Sequence, residues 1–177
     1  AAQKTLGYWK TRMLGKTAGG LYWMFRSLER AENTARLIEA GFRIALTRST
    51  SAEAEWKSII VTSAAQFAYE AKYSGYDSER VVNFLLRDTD NPSSVLSVIK
   101  SARDNARLVR TALTTEVWTS VNETWMVLTK LLEAPIRQME LPAVLATIRQ
   151  QSAVVRGALH GTMLRNDIYD FCRLGTF

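Results

Sequence analysis

Hydrophobic residues in the first third of the chain recur at alternating steps of three and four. Between residues 21 and 45 the line consists of Leu21, Met24, Leu28, Ala31, Ala35, Ile38, Phe42 and Ala45. Because an α-helix has 3.6 residues per turn, such a line forms one face that helices bury against each other. The pattern predicts a long first helix, with Thr17 as its N-cap and its end near Arg48.

Similar patterns predict further helices along the rest of the chain. The second is expected to start at a capping box, Thr50-Ser51-Ala52-Glu53, and to end at Gly75. Its buried face would consist of Trp56, Ile59, Ile60, Ser63 and Phe67. Later helices are expected to begin at Asp77 or Ser78, after Pro92, after Thr114, from Pro142, and at Asn166 or Asp167. No segment has the period-two alternation of a strand, so we predict an all-α fold, an antiparallel bundle of six or seven helices, several of them long.

A second, polar line follows the same first helix. It is formed by Tyr22, Arg26, Glu29, Asn33 and Arg36, and Arg30 lies beside it. One interpretation is a solvated face whose exposed ion pairs contribute ~0.3–0.5 kcal/mol each. In the other interpretation the line faces a cleft or the bundle interior. The aromatic neighbours of the line and its lack of lysine favour this second interpretation. From the residues alone both interpretations stay open, since ion-pair networks also imitate functional sites.

A similar stretch with Asn and Arg recurs in a later helix. Asp104-Asn105-Ala106-Arg107-Leu108 echoes Asn33-Thr34-Ala35-Arg36-Leu37, as if two helices presented Asn and Arg to one region. Chance similarity is an equally good explanation, because binary patterning makes short helical matches common. The candidate substrate-binding residues are Tyr22, Arg26, Glu29, Arg30, Asn33, Arg36, Asn105 and Arg107.

Composition and charge exclude several functions. The single cysteine, Cys172, and the single histidine, His160, cannot form a Cys/His zinc site within one chain, and we expect no metal or cofactor. His160 is expected to cap a helix rather than to catalyse. A lone cysteine fits a reducing compartment, hence the cytoplasm. No apolar run approaches a membrane span. The net charge is +6, yet the arginines form no block, so nucleic acid is the least favoured partner.

Three stretches near the start resemble the bacterial alpha-E family, helical proteins named for a Glu-Arg motif. They are residues 13–18 (Met-Leu-Gly-Lys-Thr-Ala), Leu21-Tyr22-Trp23, and residues 28–36, which contain Glu29-Arg30. Similarity continues through residues 95–113, 116–128 and 161–175. The resemblance implies one helical domain over residues 13–177, preceded by an extension or cloning remnant at residues 1–12. It also implies a domain incomplete at its C-terminus, because the family continues into a second Glu-Arg copy.

The resemblance also implies a functional context. Members of the family are found alongside ATP-grasp and transglutaminase-like proteins, which are the expected partners, in systems that form or process peptide or amide bonds. The Glu/Arg/Asn face would then hold an acidic or peptide-like substrate, and whether the chain is itself an enzyme stays open. The alternative is a non-catalytic helical module that docks a partner enzyme or a second copy of the chain. Nucleic-acid binding through the arginine excess ranks third.

Overall fold

All regular elements of the computed structural model are helices, over the residues that it describes: the backbone of residues 2–47 and 52–177 and the side chains of residues 15–47 and 52–177. The predicted all-helical fold is therefore confirmed. The elements are α1 (Ala2–Thr47), α2 (Ala52–Thr62), α3 (Gln66–Glu70), α4 (Ser78–Leu86), α5 (Val95–Leu108), a 3₁₀ helix (Arg110–Ala112), α6 (Thr115–Leu131), α7 (Leu141–Thr162) and α8 (Asp167–Leu174).

The long first helix is the centre of the packing. α1 has 46 residues, which makes it about 69 Å long at 1.5 Å per residue. It contacts α2, α4, α5, α7 and α8. The apolar line that the sequence predicts is buried over most of its length, at Leu21, Met24, Leu28, Ala31, Ala35 and Ile38. The 3–4 spacing thus places one continuous stripe of α1 in the core.

The α5, α6 and α7 helices run antiparallel to their neighbours. Arg30 of α1 bonds to Ser93 just before α5, whereas Gly20 lies against Val109 just after α5. Thr114 before α6 meets Thr162 at the end of α7, and Thr124 meets Gln151. The described core therefore consists of antiparallel helix pairs around α1, as the bundle prediction states.

The predicted start of the first helix is wrong. α1 begins at Ala2, so Thr17 lies inside the helix and caps nothing. Residues 2–12 contain no proline and several good helix formers, so the backbone continues without a regular apolar period. Residues 48–51, which include the predicted end at Arg48 and the first half of the predicted capping box, lie outside the described residues.

The predicted second helix is two helices, because the chain turns after Thr62. Ala64 has a φ of 56°, and the amides of Ala64 and Ala65 donate to the carbonyls of Val61 and Ile60. This is the Schellman arrangement that commonly ends a helix. The turn points Phe67 into solvent, where its side chain is 90% exposed. The expectation of a buried Phe67 is therefore wrong, whereas Ile59 and Ile60 are buried.

Replacing Ala64 by Gly is expected to raise the free energy of unfolding by about 1 kcal/mol, because glycine adopts a positive φ without the strain that a Cβ causes. The measurement is urea denaturation. The control is Ala68→Gly in α3, at an exposed position, which should lower stability by about 0.5–1 kcal/mol. Equal destabilisation by both substitutions would contradict the prediction.

Side chains cap the other helices where the sequence predicts. Asp77, Thr114 and Asn166 each accept a hydrogen bond from a backbone amide in the first turn of their helix, and Pro142 lies in the first turn of α7. At the other end of α6, Arg87 donates to the carbonyls of Leu132 and Glu133. These bonds fix the helix ends and the register between neighbouring helices. None of the described helices combines the length and the apolar character that crossing a membrane requires.

Candidate functional site

Two glutamates of α1 meet one arginine of α7. Glu32 is 3% exposed, and its carboxylate accepts hydrogen bonds from Arg156 and, at 2.5 Å, from Arg36. The Arg156 guanidinium also lies 3.5 Å from the Glu29 carboxylate. These four residues, called the α1–α7 ion network below, join the two helices through charge-assisted hydrogen bonds, the strongest class in proteins.

The same helix pair carries a second, more exposed pair. Arg149 of α7 lies 2.5 Å from Glu39 of α1, and each side chain is more than a third exposed. Between Arg149 and Arg156 on α7, the buried Ser152 hydroxyl donates to the carbonyl of Leu28 at 3.5 Å. The polar contacts between α1 and α7 are therefore buried at Glu32 and Ser152 and exposed at Glu39.

Burial and hydrogen bonding act on Glu32 in opposite directions. Burial raises the pKa of its carboxyl group, but the hydrogen bonds from Arg156 and Arg36 outweigh it and hold the pKa below the ordinary value. Glu32 is therefore ionised at neutral pH, and its oxygens are already occupied. This carboxylate is suited to joining helices and unsuited to general acid catalysis near neutrality.

Arg30 lies on the opposite flank of α1 and lines a cleft. Its Nη2 donates to the Ser93 hydroxyl at 2.8 Å, and Ser93 is in turn held by the side chain of Asn91. The cleft has a volume of about 300 Å³. Its lining, called the Arg30 cleft below, combines a guanidinium, an amide, four hydroxyls and two leucines: Arg30, Asn33, Thr34, Leu37, Thr62, Ser63, Leu85 and Ser93.

The two residues of the Glu-Arg pair thus face different elements. Glu29 faces Arg156 on α7, whereas Arg30 faces Ser93 at the start of α5. Consecutive helical residues are about 100° apart, so a pair on the outer side of α1 reaches both of its neighbours. Neither side chain stands free in solvent, although Arg30 is largely exposed.

The remaining candidates on α1 lie along its outer ridge. Asn33 and Arg36 are exposed, and Tyr22 and Arg26 are half-buried. α8 covers the backbone at the last two, because the position of a Cβ on Gly175 is 2.3 Å from the Tyr22 carbonyl oxygen and 2.9 Å from the Arg26 nitrogen. Of these four residues, the structure brings only Asn33 into the cleft with Arg30.

The structure does not bring the α5 candidates to the same place. Asn105 bonds to its own helix, at the Ser101 carbonyl, and its backbone lies near Gly20. Gly20 is thirteen residues along α1 from Asn33, which corresponds to about 20 Å. Arg107 is exposed on α5. The sequence echo therefore reflects two helices with similar patterning and no shared region.

Three residues of this arrangement, Glu32, Ser93 and Arg156, are not among the candidates that the sequence indicates. The spacing identifies Glu32 as a neighbour of Arg36, but neither Arg156 nor Ser93 carries a local signal for its role. Arg149, Ser152 and Arg156 do repeat at three- and four-residue steps on α7, which indicates a polar edge. That spacing does not say which helix the edge meets.

The other reactive side chains are used in packing. Cys172 is fully buried, and burial raises the pKa of its thiol to about 12, which makes it unreactive. His160 lies in the last turn of α7. Its Nδ1 is 2.8 Å from the Tyr169 hydroxyl of α8, so this hydrogen bond joins the two helices. Among the described residues no group of His, Cys, Asp and Glu is arranged to hold a metal ion.

The fold and the site define a helical domain whose long first helix carries a Glu-Arg pair that faces two neighbouring elements. Residues 13–177 match the model of the Alpha-E family, described as a predicted alpha-helical domain with a conserved Glu-Arg motif. The chain belongs to the Alpha-E family, as the resemblance indicates. Comparison with curated proteins and with solved structures found no significant match.

Proposed function

We propose that the chain is the substrate-holding component of an ATP-grasp-linked system that forms or processes peptide or amide bonds in the cytoplasm. The observation that supports this best is the Arg30 cleft. A guanidinium binds a carboxylate with a matching pair of N–H groups. Asn33 and the hydroxyls of the cleft suit the amide groups of a peptide, and Leu37 and Leu85 offer apolar contact. The substrate class is therefore an acidic or peptide-like molecule.

The residues of the cleft suit binding better than catalysis. Its lining includes no carboxylate, thiol or imidazole, and the nearby acidic groups Glu29 and Glu32 face Arg156. In this proposal the chain positions the substrate, and the partner ligase activates and joins it. An ATP-grasp enzyme supplies the chemistry for which the cleft has no groups.

Replacing Arg30 by Gln is expected to weaken binding of the dipeptide Ala-Glu at least about tenfold, since a hydrogen bond to a charged group contributes ~1.5–3 kcal/mol. Arg30→Lys keeps the positive charge but loses the paired N–H groups of the guanidinium. Its affinity for Ala-Glu should therefore lie between those of the unchanged protein and Arg30→Gln. Isothermal titration calorimetry measures this effect. Ala-Gln is the control ligand, because it lacks the side-chain carboxylate. Arg165→Gln is the control variant, because Arg165 is exposed and lies outside the cleft. Equal affinity for Ala-Glu and Ala-Gln, or none for either, would contradict the assignment.

A second candidate function is that of a non-catalytic module that docks the partner enzyme. The observation in its favour is that Glu29 and Arg30 join α1 to two neighbouring elements, a structural use of the motif. Co-expression with the partner ATP-grasp protein distinguishes the two functions when folding, complex formation and product are measured. Loss of folding in both Glu29→Gln and Arg30→Lys supports the module. Intact folding and complex with lost product supports the substrate site.

A further inference from the structure

Two arginines lie over the rings of two tryptophans where α5 and the 3₁₀ helix after it meet α6. The Arg103 guanidinium carbon is 4.1 Å from the centre of the Trp125 ring, and that of Arg110 is 5.2 Å from the centre of the Trp118 ring. Arg103 also donates through Nε to the Asn122 side chain at 3.0 Å. Stacking on an indole and an Nε bond hold the guanidinium at a fixed angle and leave its outer N–H groups unused.

These arginines belong to a regular line of positive charge. Lys100, Arg103, Arg107 and Arg110 follow one another at steps of three, four and three residues, which places them along one side of α5 and of the 3₁₀ turn after it. We call this line the α5 basic stripe. Its members span ten residues, about 15 Å.

The α5 basic stripe lacks charge partners of its own. None of its four side chains forms an ion pair with a described residue, whereas the exposed arginines Arg80, Arg137 and Arg149 do. Asp104 is the one carboxylate within residues 100–110. The stripe therefore carries positive charge that no described carboxylate neutralises. It lies beside two half-buried tryptophans, Trp118 and Trp125, on the surface where α5 packs beside α6, which is called the groove below.

We propose that the groove between α5 and α6 binds an acidic helix of a partner protein. A helix laid along the groove with glutamates at steps of three, four and three presents one carboxylate to each cation, because both stripes have the same helical period. Each guanidinium can donate two parallel N–H groups to one carboxylate, the forked geometry that arginine favours. This surface uses different residues from the Arg30 cleft, so either site can fail without the other.

The groove suits a protein better than a nucleic acid. Single-stranded nucleic acids are bound by aromatic faces on which successive bases stack. Here the faces of Trp118 and Trp125 that point toward the stripe are already covered by guanidinium groups. Carboxylates need only the outer N–H groups, which form no hydrogen bond with a described residue.

The test uses a labelled, helix-forming peptide of about 20 residues, with glutamates at steps of three, four and three on one face. A second peptide has the same composition with the glutamates spread around the helix. The intact protein should bind the first peptide at least about tenfold more tightly in fluorescence anisotropy. Rising salt should weaken this binding, because exposed charge pairs are screened.

Variants locate the binding on the protein. The triple variant Arg103→Gln, Arg107→Gln and Arg110→Gln should abolish binding, and the single variant Arg107→Gln should weaken it several-fold, as expected for a charge at the rim. The single variant tests the proposal even if the triple variant unfolds. Arg107 is exposed and contacts neither Trp118 nor Trp125 through its guanidinium, so its replacement should leave the fold intact.

The control variant removes three positive charges elsewhere: Lys16→Gln, Arg43→Gln and Arg165→Gln. It lowers the net charge equally, from +6 to +3 by 6 − 3, and should retain affinity. Equal binding of the two peptides, or equal losses in both triple variants, would overturn the proposal, because either shows attraction by net charge alone. Tighter binding of a single-stranded oligodeoxynucleotide that also depends on Arg107 would overturn it in favour of nucleic acid.

Discussion

Replacing Arg156 by Met is expected to lower the free energy of unfolding by about 3 kcal/mol, because the change leaves a buried carboxylate without its main partner. Glu32 keeps only Arg36, which reaches it from the exposed side of α1. Methionine retains most of the apolar stem of arginine, so the loss of charge dominates the effect. Urea denaturation at neutral pH measures it.

The neighbouring ion pair provides the matched control. Arg149 also joins α7 to a glutamate of α1, but the side chains of both Arg149 and Glu39 are more than a third exposed. Arg149→Met should therefore cost no more than about 1 kcal/mol, the usual range for surface pairs. Similar losses in the two variants would show that burial of Glu32 does not decide the stability of the α1–α7 seam.

The pH dependence of the same variants follows from the direction of the Glu32 shift. Its pKa is lower in the folded than in the unfolded protein, so the unfolded state binds the proton more readily and acid favours unfolding. The stabilisation is complete above the ordinary value of 4.5 and is lost as the pH falls through the folded-state pKa. In Arg156→Met burial raises that pKa with less opposition, so the acid-induced loss should be smaller than in the unchanged protein.

Replacing Gly175 by Ala is expected to destabilise the docking of α8 by about 2 kcal/mol, because overpacking in a close helix contact typically costs that much. The position of the new methyl group is 2.3 Å from the Tyr22 carbonyl oxygen and 2.9 Å from the Arg26 nitrogen. Both obstacles belong to the backbone of α1, which cannot move aside as a flexible side chain can. α8 must therefore shift away from α1.

The single cysteine reports this shift directly. Cys172 lies in α8 and is fully buried, so it reacts with a thiol reagent only when α8 opens. A loss of 2 kcal/mol raises the population of the open state more than about tenfold, and the rate of labelling with it. Gly157→Ala is the control, since nothing lies within 4 Å of a Cβ there. Unchanged labelling in Gly175→Ala would contradict close docking of α8.

Arg156→Met also tests whether the two residues of the Glu-Arg motif act independently. The substitution removes the arginine that pairs with Glu29 and Glu32, but it leaves the bond between Arg30 and Ser93 in the cleft. If dipeptide binding survives in the folded Arg156→Met protein, the two halves of the motif act independently, one in stability and one in recognition. Loss of both properties together would make the motif one structural unit.

The sequence by itself determined the helical character of the chain and most of the helix ends. The line from Leu21 to Ile38 is buried as its spacing predicts, and Asp77, Thr114 and Asn166 cap their helices. These features depend on contacts within a few residues, and the sequence records them directly. The predicted start of α1 is wrong because the helix formers of residues 2–12 extend the helix without an apolar period. The split at Ala64 is also local, but a non-glycine residue takes a positive φ there, against the usual preference.

Only the tertiary structure decided which polar residues meet. The spacing places Glu29, Arg30 and Asn33 on one side of α1, yet Arg156 and Ser93 lie more than sixty residues away along the chain from their partners. A helical pattern fixes the face on which a side chain lies, but the neighbour of that face depends on how all helices pack. For the same reason the sequence alone did not separate Asn105 from Asn33, because similar local patterns lie at different heights of the α1–α5 helix pair.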